Sequence, residues 1–326
     1  MVQFLPGDIV GSLPLLDSAL VHNGRFAGNE TKGIIPTAIN INDLSSPSNS
    51  AFSNDLSLLT NGFELAIIHP SIVLPDPTKH TPAPPYTPWT SKDRPLLNFV
   101  SQFNLAYNAV SLPSTNVLTI SCHGELLRGA TSSGSAPSKN PTEKSWPPTF
   151  NAHIDQDISG EPLKSLHLSS IFQYTPLRLL NFWLPLNDAQ VRPLALGDIA
   201  KIPKTSNNPP LLARWHEETF SISSDRFLIT TAATDPSLWW FDSQIKPGQA
   251  YVFSTTSTPH TSFGREGGND GGVRYSVEMR CVSVLVPEGR KLMVGAVLIA
   301  FVVVLAGRLL SQQKKENPKL NSFFRK

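Results

Sequence analysis

His153-Ile154-Asp155 and the distant His260 are the residues of this chain whose types and order could do chemistry. A histidine, one spacer, a carboxylate and a second histidine far downstream is the order in which a β-jelly roll delivers a two-histidine, one-carboxylate facial triad. Such a triad leaves coordination positions open on a bound metal. Residues i and i+2 of a strand point to the same face, so Ile154, a strand-compatible spacer, lets His153 and Asp155 bind together. Behind His260 comes Arg274-Tyr275-Ser276. A guanidinium offers a dicarboxylate a fixed fork of donors, and a serine hydroxyl adds a further bond. The expected chemistry is oxidative: iron(II) on His153, Asp155 and His260, 2-oxoglutarate with its far carboxylate on Arg274 and Ser276, and dioxygen at the position that remains.

Two other triplets compete for the first ligand pair, His123-Gly124-Glu125 and His216-Glu217-Glu218. Gly124 is a poorer strand spacer, and His216 sits in a polar, Glu-rich stretch that reads as a helix start or loop. His153 and Asp155 are favoured, and the other two stay open. The segment from Val273 to Leu285 alternates, so Arg274, Ser276, Glu278 and Arg280 share one face, and Val273, Tyr275, Val277 and Met279 the other. For Arg280 the plain reading is an ion pair with Glu278 or another acid. The same three ligands would also serve a zinc hydrolase, against which Arg274 and Ser276 weigh, or survive in a non-catalytic jelly-roll binding protein.

The elements that must position these groups are mostly strands. Strand-like runs cover Leu177 to Leu186, Arg226 to Ala232, Leu238 to Phe241, Ala250 to Thr255 and Val273 to Val286. Helical spacing of Leu96, Phe99, Val100, Phe103 and Tyr107 predicts one helix within Pro95 to Leu112. The 29 prolines break the chain into short pieces, and the Ser/Gly/Pro-rich stretches 129–148 and 201–210 read as surface loops, the first a candidate lid. The expected fold class is mostly β with flanking helices, a sandwich or barrel. With 326 residues, 40% of them hydrophobic, one catalytic domain with a real core is the default. Trp239, Trp240 and Phe241 are candidates for an apolar pocket wall, as is Trp183, although aromatic strand residues more often belong to a core.

Charge and cysteine content narrow the setting. The net charge is +2, and Arg308, Lys314, Lys315, Lys319, Arg325 and Lys326 against Glu316 exceed it, leaving a mildly acidic body with no basic stripe for nucleic acid. The two cysteines, Cys122 and Cys281, have no CxxC spacing, which fits a reducing compartment. No basic segment followed by an apolar run marks a secretory signal at the N-terminus. At the other end Leu292 to Ala306 is wholly apolar, and the run extends to Leu310 past one arginine. This predicts a C-terminal apolar helix over 292–310 as a single-pass membrane anchor, with a cytosol-facing catalytic domain; without the anchor the chain is expected in the cytoplasm.

The order of motifs is also familiar. Asn181-Phe182-Trp183-Leu184-Pro185-Leu186, Pro193-Leu194-Ala195-Leu196-Gly197-Asp198, Trp239-Trp240-Phe241, Thr258-Pro259-His260 and Arg274-Tyr275-Ser276-Val277-Glu278-Met279-Arg280 follow one another. Together they resemble the fungal AsaB-like hydroxylase/desaturase family, grouped with CmcJ/NvfI-type and cephem methoxylase-like oxygenases of secondary metabolism. The resemblance implies a double-stranded β-helix (jelly roll, cupin-like) over 55–287, an N-terminal extension over 1–54 and the tail over 288–326. It places His153, Asp155 and His260 on metal positions and Arg274 on the co-substrate position. It implies iron(II), 2-oxoglutarate and dioxygen acting on a small, apolar secondary metabolite. The chain departs from the family at Leu184, where a basic residue is expected, and at Gly197-Asp198-Ile199-Ala200, where a Cys-Asp-x-Arg-like element is. Both departures are expected to touch the pocket.

Overall fold

The computed structural model describes residues 9–22, 25–27, 33–76, 97–113, 115–131, 151–155, 177–188, 191–202, 211–219, 222–233, 235–265 and 273–287. The chain weaves between two curled β layers. Strands β1 (Ile9–Leu16), β2 (Arg25–Phe26) and β3 (Ile34–Asp43) begin the first layer, and β4 (Phe63–Ile68), β5 (Ala106–Ser111) and β6 (Thr115–Thr131) begin the second. It then alternates. β7 (His153–Ile154) joins the first layer and β8 (Leu177–Pro185) the second. β9 (Leu194–Gly197), β10 (Leu212–Thr219), β11 (Ile222–Ile229) and β12 (Trp239–Phe241) return to the first. Finally β13 (Gln249–Ser254) enters the second layer, β14 (His260–Ser262) and β15 (Gly264–Arg265) the first, and β16 (Val273–Pro287) the second. The first layer is a ten-stranded sheet ordered β15-β1-β3-β12-β9-β14-β7-β11-β10-β2, and the second closes as β13-β4-β5-β6-β16-β8.

Period-two alternation divides each strand between two environments. On β8, Leu180, Phe182 and Leu184 pack with Val252, Val277, Met279, Phe99, Val100 and Phe103 in the barrel core. Between them, Trp183 turns the other way and joins Phe63, Tyr251 and Phe253 of the barrel to Leu194, Leu196 and Trp240 of the large sheet. That cluster binds the two layers together. β16 divides in the same way: Val277, Met279 and Cys281 belong to the barrel core, while Arg274, Ser276 and Glu278 are buried on the opposite face.

Several expectations change. The helix expected within Pro95 to Leu112 shrinks to α1 (Leu97–Ser101), because Leu105 takes a left-handed φ of 55° and Ala106–Ser111 pairs as a strand with β4 and β6. Phe99, Val100 and Phe103 are buried nevertheless, so the apolar spacing marked a core contact rather than a long helix. The stretch around His216 is a strand, β10, paired along its whole length with β11. Cys122 and Cys281, far apart in sequence, are register partners on β6 and β16 with Cα atoms 4.2 Å apart, and form a disulfide. The expectation of unpaired thiols is thereby corrected. Leu184 points into the barrel core rather than toward the pocket, and there a buried leucine fits its neighbours.

The membrane anchor is corrected as well. Among the described residues no helix is long and apolar enough to cross a membrane. The run 292–310, on which the apolar helix and the single-pass localisation rested, lies outside the described residues, as do the greater parts of the 129–148 and 201–210 stretches.

Candidate active site

The site forms where three short strands of the large sheet meet. β14 lies between β9 and β7, and one register line carries Leu196, His260 and His153 side by side. β7 is only two residues long and is held by neighbours. Its Ile154 and His153 pair with Phe227 and Leu228 of β11, and the Ala152 N–H donates to the Pro14 carbonyl at 2.8 Å. Ile154 enters the apolar cluster beneath the sheet, so His153 and Asp155 face the opposite way, as a strand requires. Gly197 matters to His260. The Gly197 N–H donates to the Pro259 carbonyl at 2.7 Å, and a Cβ on Gly197 would lie 2.8 Å from the Pro259 ring. Only a residue without a side chain lets β9 approach the turn before His260 so closely.

His153, Asp155 and His260 are all buried and offer ligand atoms within 4.8 Å of one another. Asp155 Oδ1 is 3.6 Å from His153 Nε2, and Oδ2 is 3.7 Å from His260 Nε2. Both rings are oriented by the same device. Nδ1 of His153 lies 3.0 Å from the Asn151 carbonyl, and Nδ1 of His260 lies 3.1 Å from the Thr258 carbonyl. A backbone carbonyl accepts only, so each Nδ1 carries a proton and each Nε2 is the atom turned to Asp155. Burial, and then the neighbouring His153, push His260 down to about 4, so its ring is neutral at ordinary pH. Burial pushes Asp155 upward, but the Arg280 guanidinium and the two imidazoles prevail and hold it well below the usual carboxylate range.

The carboxylate is gripped from behind. Arg280 Nη2 donates to Oδ1 at 2.7 Å, and Asn181 Nδ2 donates to Oδ2 at 2.6 Å. The plain reading of Arg280 as an ion-pair partner is therefore what the structure has, with Asp155 as the acid. Asn181 lies outside the candidate residues that spacing suggests. Its clue was a polar side chain in the apolar run Leu179 to Leu186, where a buried amide needs a partner.

Arg274 and Ser276 stand further along β16, facing the same space. Arg274 is 3% exposed, its guanidinium lies 5.2 Å over the Trp183 ring, and it donates to the Arg192 carbonyl. Burial, then Arg128 and Arg192, lower it to about 9, still cationic at neutral pH. Arg274 Nε and Ser276 Oγ are buried with no hydrogen-bond partner. Glu278, next on this face, would be raised by burial, but Arg128, donating through Nε at 2.8 Å, holds it low. Arg274, Glu278, His153 and His260 line one small pocket, partly open to solvent and walled by Trp183 and Phe253. Trp183 thus reaches the pocket, whereas Trp239 and Phe241 belong to the apolar core under the large sheet.

No protein-family model matches the chain, and no curated protein does. Solved structures do. A structure of the iron and alpha-ketoglutarate-dependent endoperoxidase NvfI with a different conformation matches 86% of this chain and 99% of its own, with a TM-score of 0.53 and 12% identity. A variant of the same endoperoxidase matches 87% of this chain and 99% of its own, with a TM-score of 0.50 and 14% identity. At such identities the likeness is one of fold: this chain has the mostly β, jelly-roll, cupin-like architecture that was expected. It does not single out the AsaB-like family.

Proposed function

We propose that this chain is an iron(II)- and 2-oxoglutarate-dependent oxygenase that hydroxylates or desaturates a small, apolar metabolite. The observation that carries the proposal is that both imidazoles of the triad and the Arg274 guanidinium line one pocket, with Arg274 Nε and, on the same strand face, Ser276 Oγ buried without hydrogen-bond partners. The residues fit the groups they would hold. Ligands that each sit about 2 Å from one ion are no more than about 4 Å apart; one ligand atom from each of the three residues lies within 4.8 Å of the others, a span that a small side-chain adjustment closes on an ion. Two neutral imidazoles and one carboxylate are the donor set of a non-heme iron(II) site with open positions. A buried Arg274 Nε and Ser276 Oγ suit an incoming carboxylate, which would supply the acceptors they lack. The fold likeness to an endoperoxidase named for iron and alpha-ketoglutarate supports the same reading.

Iron(II) with 2-oxoglutarate and dioxygen supplies, when bound, an oxidant able to take hydrogen from an unactivated carbon, with succinate and carbon dioxide as co-products. The chain's own residues do the rest. His153, Asp155 and His260 hold the metal; Arg274, steadied over Trp183 and by the Arg192 carbonyl, orients the far carboxylate of the co-substrate, and Ser276 adds a donor. Trp183, Leu194 and Phe253 present apolar walls on which a hydrocarbon skeleton can rest. The motifs from Asn181 to Arg280 support membership of the AsaB-like family, and the unit assigned to catalysis is 55–287, with β1 and β3 of the preceding segment built into the same sheet. The name of the structural neighbour adds endoperoxide formation to the outcomes such a pocket could impose.

Anaerobic addition of iron(II) and then 2-oxoglutarate tests the proposal through the visible charge-transfer absorption of the chelate. The band is expected in the native protein and not in His153→Ala or His260→Ala. A native protein that gives no band, and releases no succinate in air, overturns it.

A further inference from the structure

The two partners of Asp155 act on a bound cation with opposite sign. Asn181 and Arg280 are direct cross-strand neighbours on β8 and β16, so the barrel delivers both to the same carboxylate. Thr255 Oγ1 donates to Asn181 Oδ1 at 2.9 Å, which fixes the amide with its NH₂ toward Asp155 Oδ2. Asn181 is neutral, so it orients the carboxylate and leaves its charge intact. Arg280 brings a full positive charge to Oδ1, where it both competes for the oxygen's lone pairs and repels any cation held there.

The surroundings amplify this. Arg274 feels Arg128 and Arg192 as neighbouring cations, and Arg128 is bonded to Glu278. Among the described residues of the site, the carboxylates Asp155 and Glu278 stand among the guanidiniums of Arg128, Arg192, Arg274 and Arg280. Such a pocket attracts a dianion and resists a dication until the dianion is present.

We infer that Arg280 is a positioning residue that neutralises Asp155, so that the site holds a divalent metal weakly alone and tightly only together with a dicarboxylate. The inference rests on the reading of His153, Asp155 and His260 as metal ligands. Metal and co-substrate then raise each other's affinity by the same factor.

Cobalt(II) titration, followed by calorimetry and by the visible d–d absorption, tests this without any turnover. In the native protein 2-oxoglutarate should tighten cobalt binding by about tenfold or more. Arg280→Gln should bind cobalt alone about tenfold more tightly, a modest gain because the Arg280 side chain is 23% exposed and partly screened. Its response to 2-oxoglutarate should shrink by the same factor. Asn181→Leu should weaken cobalt binding by about ten- to a hundredfold, and Arg280→Lys should restore the native values. A merely structural role would weaken binding in both Arg280→Gln and Asn181→Leu, and that result overturns the inference, as does cobalt affinity in the native protein that ignores 2-oxoglutarate. If Arg280→Gln does not fold, as judged by circular dichroism, the native dependence on 2-oxoglutarate and its retention in Arg280→Lys decide the matter. A native protein that binds no cobalt sinks the metal-site reading itself, whereas normal binding with no gain in Arg280→Gln sinks this inference alone.

Discussion

The two ends of the pocket differ in how their polar atoms are satisfied. At the triad, Asp155 accepts from Arg280 and Asn181, and both Nδ1 atoms face backbone carbonyls. At the other end Arg274 Nε, Arg192 Nε and Ser276 Oγ are buried without partners. Each unsatisfied buried group costs on the order of 1–3 kcal/mol; others lie elsewhere, at Asp198 Oδ2, Trp239 Nε1 and Ser283 Oγ, but here two of them, Arg274 Nε and Ser276 Oγ, stand on one face of one strand. The first end already has its hydrogen bonds made, as residues proposed to hold a metal require, since ligands must be held in place against their own rotational freedom. On the proposed function, the second is left incomplete because its acceptors would arrive with the co-substrate. A built triad beside an incomplete anion cradle is what separates a co-substrate-dependent site from a plain structural metal site.

The largest expected effect attacks the finished end. His260→Ala should abolish iron(II) binding, and with it 2-oxoglutarate consumption, because one imidazole and one carboxylate remain. Calorimetry would show it, and native-like binding would break the contrast at its root. Next, Arg274→Met should raise KM for 2-oxoglutarate about a hundredfold, the scale of a lost charge-assisted, bidentate contact, while cobalt affinity without co-substrate does not fall. Loss of both together would mean the two ends are one unit.

Acid should act on the finished end more gently. The folded pKa of His260 is about 4, below the ordinary 6.5 of an unfolded chain, so between those values the unfolded state binds the extra proton. The stability is complete above the unfolded value and is lost as pH falls toward the folded one. Asp155, also lowered in the folded state, adds to the loss only under more acid conditions. Metal-free protein should therefore lose about 2 kcal/mol between pH 7 and pH 5. Urea unfolding at the two pH values measures this, and His260→Asn should flatten the dependence. Smallest of all, Ser276→Ala should raise KM for 2-oxoglutarate only a few-fold, about 1 kcal/mol for one neutral hydrogen bond. An effect equal to that of Arg274→Met would show that the serine, not the guanidinium, dominates the cradle.

Much of the site was legible where the message is local. The alternation from Val273 to Leu285 assigned Arg274, Ser276, Glu278 and Arg280 to one face, and in the structure that is the face turned to the pocket. The same rule put His153 and Asp155 together across Ile154. Non-local features were harder. The helical spacing from Leu96 to Tyr107 was overruled by strand pairing at Ala106–Ser111, since a short helix gains less than two ladders of hydrogen bonds. The disulfide joins residues whose spacing says nothing until β6 and β16 are neighbours. Leu184 looked like a change in the pocket, and it faces the barrel core. The role of Asn181 depended on Thr255 and Asp155, each far away in the chain.

The sequence by itself determined the donor types, their order, and which of them share a strand face, because those follow from side-chain chemistry and a two-residue repeat. Only the tertiary structure decided that β14 would lie between β9 and β7, bringing His260 beside His153, and that β8 and β16 would bring Asn181 and Arg280 to one carboxylate. The reason is physical: strand pairing between distant segments is selected by the burial of the whole sheet, and no short window of residues contains that information.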